Sequence, residues 1–228
     1  MLKISLLFTI IHCRRRDWQN LDYSEKFVYH SVVILKIDSY IPIQAPKVPK
    51  EINMKQDDLE RLSSTRNCPN GDLSGSDLSG AYLKGAQLQG ANLKDADFSS
   101  CDMESANLQG ADLYGANLES TKLRFANLEG VNLENARLDQ ADLHGVNLKG
   151  ARMVAANLVD VDLRFADLEG CDLRKAHLGG ANLKEGNLKN TNLGAASLKG
   201  ADLSFAEMGG AQLCNTTMPD GEIIYKDC

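Results

Sequence analysis

The feature that most constrains this chain is a five-residue period that runs from Leu73 to Met218 without an insertion. Every fifth residue is large and apolar at 30 consecutive positions, 25 of which are Leu. A small residue lies two positions before each of them, and it is Ala in 19 units, so the unit reads A(D/N)LXX. On an α-helix these leucines would scatter around the axis, and on a long strand they would alternate between two faces. Neither regular element can bury them together.

A turn in every five-residue unit allows the leucines to be buried together. A short extended step puts Ala and Leu, two residues apart, on the inward side, while the Asp or Asn between them points outward. The fifth residue then lies at the turn, and it is Gly, Ser, Asn or Asp in 22 of the 30 units, types that tolerate turn geometry or positive φ. The pattern therefore predicts a repetitive β structure with Cys101 and Cys171 as buried thiols at small inward positions.

The units, and runs such as CPNGDLSGSDLSGAYL, resemble the pentapeptide-repeat family and its cyanobacterial members in particular. The resemblance implies an all-β solenoid, wound as a right-handed quadrilateral parallel β-helix with four units per coil and about 7.5 coils. Residues twenty apart would then stack as cross-strand neighbours. One column alternates in charge through Glu129, Lys149, Glu169 and Lys189, and another repeats amides through Asn107, Asn127, Asn147, Asp167 and Asn187.

The sequence divides into four segments. These are an unpatterned N-terminal extension with a Pro-containing linker (1–53), a cap helix and turn (54–70), the repeat β-helix (71–220) and a tail or cap (221–228). We expect residues 1–53 to contribute nothing to the fold, and they could be disordered. In the second segment Asp57 is predicted to cap a short helix that ends near Ser64.

The tail contains the apolar residues Ile223, Ile224 and Tyr225. An open end of a stacked coil recruits other strands unless it is covered. These residues are therefore candidates either for a C-terminal cap or for an end-to-end contact with a second copy, and the sequence leaves both open.

One wall of the predicted β-helix carries candidate interaction residues. Phe125, Phe165 and Phe205 occur at turn positions 40 residues apart, which places them in alternate coils. Arg124 and Arg164 belong to a mostly basic column beside them. Exposed aromatic and Arg side chains are typical of a partner-binding or dimer face. The alternative is that the rings shelter neighbouring turns and the charges form a solvated surface.

Composition and motifs narrow the function classes. The net charge of −6 argues against nonspecific nucleic-acid binding, and no apolar run is long enough for a membrane span. The six cysteines form no CxxC pair and have no histidines at zinc spacing, so we expect reduced thiols and a cytoplasmic protein. The family resemblance leaves a lumenal or periplasmic location open.

No catalytic, cofactor or metal-binding constellation is visible in the sequence. Asp142 and Asp162 share a column but lack the oxygen ligands of a complete cation site. We therefore predict a noncatalytic scaffold that presents stacked polar columns to a protein partner or to a second copy. The resemblance also implies an alternative, a DNA-mimicking protein that binds DNA gyrase or topoisomerase, as the quinolone-resistance members of the family do; the net charge of −8 over residues 71–220 is in keeping with it.

Overall fold

The computed structural model describes residues 5–7, 34–36, 50–226 and 228. The chain separates into two compact units, Met1–Pro49 and Lys50–Cys228. In the first unit, strand β1 (Ser5–Leu7) pairs antiparallel with strand β2 (Ile34–Lys36). Most of the predicted N-terminal extension lies outside the described residues, so its role stays a prediction.

The second unit is a parallel β-helix. Single-residue parallel bridges join residues twenty apart, beginning with Asn67 to Gln87 and continuing to Ser197 with Thr217. A turn follows each bridge after one further residue, so each twenty-residue coil has four faces. The bridges confirm the predicted parallel stacking.

Every coil bends at the fifth residue of the unit, where the backbone adopts positive φ. Gly75 has a φ of 58°, and residues with side chains follow the same rule, such as Lys175 at 61°. Glycine adopts this backbone conformation without steric cost, whereas in any other residue the side chain raises the energy of the conformation. The conformation therefore explains why Gly, Asn and Asp predominate at this position.

The core is a column of leucines and alanines inside the coils. Leu143 and Ala141 have 0% and 1% exposure, and nearly all equivalent residues from Leu83 to Leu198 are similarly buried. The larger polar side chains at the small inward position form hydrogen bonds within the core. Thr121 Oγ1 donates to the carbonyl of Phe98 at 2.7 Å, and Cys101 Sγ donates to that of Leu78 at 2.8 Å. The interior thus accepts a hydroxyl or thiol wherever a carbonyl of the preceding coil is in reach.

The two predicted core thiols are confirmed as buried and free. Burial raises the pKa of Cys101 to about 11 and that of Cys171 to about 12. Both thiols therefore remain protonated and unreactive at neutral pH.

Helix α1 (Lys50–Thr65) precedes the first coil. It ends close to the predicted Ser64, but the prediction that Asp57 caps its N-terminus is wrong, because Asp57 lies inside the helix. Contacts with the first coil explain its position: Leu62 is buried in the core, and Asp58 Oδ2 accepts a hydrogen bond from the Asp72 amide at 2.8 Å. Within the described part of the chain, α1 is too short and polar to cross a membrane.

The chain ends in an antiparallel hairpin formed by strands β3 (Leu213–Thr217) and β4 (Ile223–Lys226). A disulfide joins Cys214 to Cys228, whose Cα atoms are 4.9 Å apart. The expectation of reduced thiols is therefore wrong for this pair. The hairpin reverses the chain direction and brings the two cysteines together, and no five-residue period specifies that return.

Candidate interaction face

We define the Phe–Arg face as Phe125, Phe165, Phe205, Arg124 and Arg164. The three phenylalanines lie at turns with φ of 56°, 58° and 61°, and their exposures are 56%, 51% and 80%. A bulky side chain at positive φ is unusual. The structure thus places three half-exposed to exposed rings at positions that glycine would fill at lower conformational cost.

The first two rings form one cluster with a histidine. His144 lies between Phe125 and Phe165, with ring centroids 5.6 and 5.3 Å away, both in edge-on geometry. A Cβ atom on Gly145 would come within 2.8 Å of the Phe125 ring, so this ring rests on the turn of the next coil. The Phe125 ring therefore shelters a neighbouring turn, as one of the two alternatives from the sequence proposed, while about half of each ring remains exposed.

The two arginines of the face are held by aspartates. The Arg164 side chain donates three hydrogen bonds to Asp162: Nε to Oδ1 at 2.9 Å and to Oδ2 at 3.1 Å, and Nη2 to Oδ2 at 2.6 Å. The Arg164 guanidinium lowers the pKa of Asp162 by this hydrogen bonding. Arg124 contacts Asp142 at 3.4 Å and lies 5.6 Å above the centroid of the Phe125 ring. Each guanidinium therefore has a carboxylate partner, while about 40% of each arginine side chain stays exposed.

These ion pairs also account for the aspartates that were considered as cation ligands. Asp142 and Asp162 each form an ion pair with a guanidinium group. Over the residues that the structure describes, no group of three His, Cys, Asp or Glu side chains is arranged to hold a metal ion.

The wall next to the Phe–Arg face carries the two predicted stacked columns. Asn127 Nδ2 donates to Asn107 Oδ1 at 3.3 Å, and Asn147 Nδ2 donates to Asn127 Oδ1 at 3.1 Å. In the charged column Lys149 binds Glu169 at 2.8 Å, which lowers the pKa of Glu169. Lys189 departs from its column and pairs with Glu207 instead. The stacking thus satisfies many polar groups internally.

Phe205 has different surroundings from the other two phenylalanines. Lys184 Nζ lies 5.9 Å from its ring centroid. Its ring borders an open cleft of about 610 Å³ whose other lining residues are Glu185, Gly186, Asn187 and Glu207. The sequence did not reveal this cleft, because it arises only where the stacking of coils stops.

The C-terminal candidate residues lie on strand β4, apart from the Phe125–Phe165 cluster in the fold. Ile223 and Tyr225 are 50% and 68% exposed, and Ile224 is half-buried opposite Thr216. Ile223 and Tyr225 are therefore accessible to another molecule. The two alternatives, that β4 caps the end of the β-helix or that it contacts a second copy, stay predictions.

Comparisons with known proteins identify the family whose sequence model the chain matches. The model of pentapeptide repeats matches in 8 copies over residues 67–95, 81–119, 116–153, 156–194 and 178–218. A comparison with curated protein sequences finds no significant match.

Solved structures with the same repeat are similar to the chain. HetL, a pentapeptide repeat protein involved in heterocyst differentiation regulation from the cyanobacterium Nostoc sp. Strain PCC 7120, is 27% identical; the match covers 73% of this chain and 97% of HetL, with a TM-score of 0.33. Rfr23 from the cyanobacterium Cyanothece 51142 is 23% identical over 72% of this chain and 96% of its own, with a TM-score of 0.28. A trypsin-treated form of QnrB1, a plasmid-mediated fluoroquinolone resistance protein, is 20% identical over 68% and 79%, with a TM-score of 0.43. Because the family model covers well over half of the sequence, the chain belongs to the pentapeptide-repeat family, whose members fold as right-handed β-helices.

Proposed function

We propose that this protein is a noncatalytic interaction scaffold whose Phe–Arg face binds a protein partner. The observation that carries the proposal is the edge-on cluster of Phe125, His144 and Phe165, which lies beside two guanidinium groups that are paired with aspartates. Aromatic and Arg side chains dominate the binding energy of protein interfaces. The bulky rings at positive φ are better explained by such a role than by backbone stability.

The remaining architecture serves to hold this face. We propose that the β-helix has about 7.5 coils over residues 71–220 and that α1 caps its first coil. The buried Leu62 and the hydrogen bond from the Asp72 amide to Asp58 support the capping role. In this view the residues before α1 are an extension, and residues 221–228 close part of the last coil.

The C-terminal disulfide bears on the compartment that we propose. Disulfides persist in oxidising compartments and are rare in a reducing cytoplasm. The Cys214–Cys228 bond therefore supports a lumenal or periplasmic location over the cytoplasmic one.

The alternative function is a DNA mimic directed at gyrase or topoisomerase. The acidic repeat domain favours it, but its basic side chains neutralise acidic ones in pairs such as Lys149–Glu169 and Arg164–Asp162. A gyrase supercoiling assay separates the two functions. Inhibition or protection of gyrase at stoichiometric protein would support the mimic, and an unaffected enzyme would support the scaffold.

Affinity capture from the source cell tests the scaffold directly. We expect a partner that binds the wild type and is lost with Phe125→Asp or Phe165→Asp. Ala195→Asp is the matched control, because Ala195 is an exposed neutral turn residue with φ of 58° on another corner of the coil. Equal recovery with all three variants would contradict the Phe–Arg face as the binding surface.

A further inference from the structure

Strand β4 makes few buried contacts with the rest of the β-helix. Among the described strands it pairs with β3 alone. Ile223, Tyr225 and Lys226 are exposed, and only Ile224 is half-buried. A two-stranded hairpin that buries little apolar surface is marginally stable in water. The noncovalent contacts of β4 are therefore too few to keep it paired on their own.

Strand β3, in contrast, is held by the coil before it as well as by β4. The Thr217 amide donates to the Ala196 carbonyl at 2.9 Å. Thr216 has 0% exposure, and its Oγ1 donates to the Leu193 carbonyl at 2.7 Å. If β4 were released, β3 would stay on the last coil, and the edge that β4 now covers would become free.

The Cys214–Cys228 disulfide supplies the missing hold on β4. It joins β3 to the residue two positions after β4 and links residues 14 positions apart. A cross-link that closes a loop of this length favours the closed state by on the order of a hundredfold. Because the other contacts of β4 are few, we expect this bond to decide whether β4 stays on β3.

The same disulfide is the accessible sulfur group among the described cysteines. Cys228 is exposed and Cys214 is partly exposed, whereas Cys68, Cys101 and Cys171 are buried. Exposed disulfides are more readily reduced than buried structural ones. A mild reductant should therefore act on the C-terminal hairpin and leave the core thiols unchanged.

We infer that the Cys214–Cys228 bond is a redox switch: β4 covers the outer edge of β3 in the oxidised protein and leaves it in the reduced protein. Reduction thus frees a β edge on the last coil together with the side chain of Ile224, and oxidation covers both again. A free β edge pairs readily with other strands, so the switch sets when this end is available. It goes beyond the proposed function and does not depend on the Phe–Arg face.

The reductant of the switch is a dithiol, and the exchange is balanced. One thiolate of the dithiol attacks Sγ of the exposed Cys228, which forms a mixed disulfide and releases Cys214 as a thiolate. The second thiol of the dithiol then displaces Cys228 and closes the disulfide of the reductant. Two electrons pass to the protein, and its two sulfurs take up, through solvent, the two protons that the dithiol loses.

Hydrogen exchange of the full chain, measured by NMR before and after treatment with dithiothreitol, tests the switch. We expect the amides of β4 to exchange up to about a hundredfold faster in the reduced protein, because the closed population falls by that factor. The amides of Thr217 and Leu198 are internal references, since both take part in hydrogen bonds between coils. Reoxidation should restore slow exchange in β4.

Cysteine labelling and two variants identify the sulfurs that act. In dithiothreitol, iodoacetamide should label Cys214 and Cys228 and leave Cys101 and Cys171 unmodified, as read by peptide mass spectrometry. The double variant Cys214→Ser/Cys228→Ser should exchange rapidly in β4 with or without reductant. Cys171→Ser is the matched control and should keep the redox response, because a serine hydroxyl can replace the thiol that donates to the Leu148 carbonyl.

Three results would overturn the inference. The first is that β4 stays protected from exchange after the disulfide is reduced. The second is that β4 stays protected in the double variant. The third is that the core cysteines are labelled as fast as the terminal pair, which would mean that reduction unfolds the β-helix instead of releasing one strand.

Discussion

At the first coil a helix lies against the core, whereas at the last coil a disulfide-bonded hairpin continues only part of the stack. Leu62 of α1 is 1% exposed, while Leu203 in the last coil is partly exposed. The repeat is the same at both ends, so the difference arises from the segments that flank it. The comparison teaches that a solenoid with uniform coils obtains distinct ends, one packed against a helix and one only partly covered, from residues outside the repeat.

The largest expected effect comes from removing one leucine at each end. Leu62→Ala should lower the free energy of unfolding by about 2–5 kcal/mol, because it leaves a cavity in the core. Leu203→Ala should cost less than about 2 kcal/mol, because its side chain is already partly in water. Equilibrium unfolding in urea checks both, and equal losses would show that the two ends are packed alike.

The disulfide should matter only at the C-terminal end. Cys228→Ser removes a cross-link between residues 14 positions apart, which is worth about 3 kcal/mol. We expect faster amide exchange in β3 and β4 and unchanged exchange in α1. Reductant should reproduce this effect in the wild type and add nothing in the variant. If exchange accelerated equally in α1, the ends would be coupled rather than independent.

Two substitutions in the middle coils provide a reference for the stability changes expected at the two ends. Ala141 is buried and Lys149 is exposed, and each is replaced by the same residue in Ala141→Leu and Lys149→Leu. We expect the first to destabilise by about 1–3 kcal/mol, since the narrow interior cannot accept the added volume. The second should have little effect. Equal shifts in melting temperature would contradict the inward position of the small residue.

The smallest effect concerns two aspartates, Asp162 on the Phe–Arg wall and Asp202 in the last coil. The pKa of Asp162 is lowered mainly by hydrogen bonding from Arg164, and that of Asp202 by hydrogen bonding from Ser204. A lowered folded-state pKa stabilises the fold above the unfolded value of about 4, and this contribution is lost as pH falls through the folded pKa. Arg164→Gln should therefore raise the Asp162 pKa and leave that of Asp202 unchanged.

Carboxyl carbon NMR measures this titration directly. A control variant, Arg174→Gln, removes the equivalent guanidinium from Asp172 on another face and should not change the Asp162 pKa. If Arg164→Gln left the Asp162 titration unaltered, the guanidinium would not be held as described, and the pre-organised Phe–Arg face would lose its support.

Residues that repeat every five positions could be interpreted from the sequence because their environment repeats as well. The inward Ala and Leu, the positive φ at the turn and the amide column at Asn107, Asn127 and Asn147 all follow from one rule. The same rule located Phe125 and Phe165 on one wall, but it could not reveal that His144 lies between them with both rings edge-on. That arrangement depends on rotamers, which the spacing does not fix.

The period by itself determined the turn in every unit and the inward residues, and the family resemblance added the four-faced coil and hence the wall that carries the Phe–Arg face. Tertiary structure alone decided the start of α1, the Cys214–Cys228 disulfide and the exposure of Leu203 and Phe205 in the last coil. The physical reason is that a repeat specifies contacts between identical neighbours. Where a coil has no neighbour, the contacts come from flanking segments whose partners are distant in sequence or follow no period.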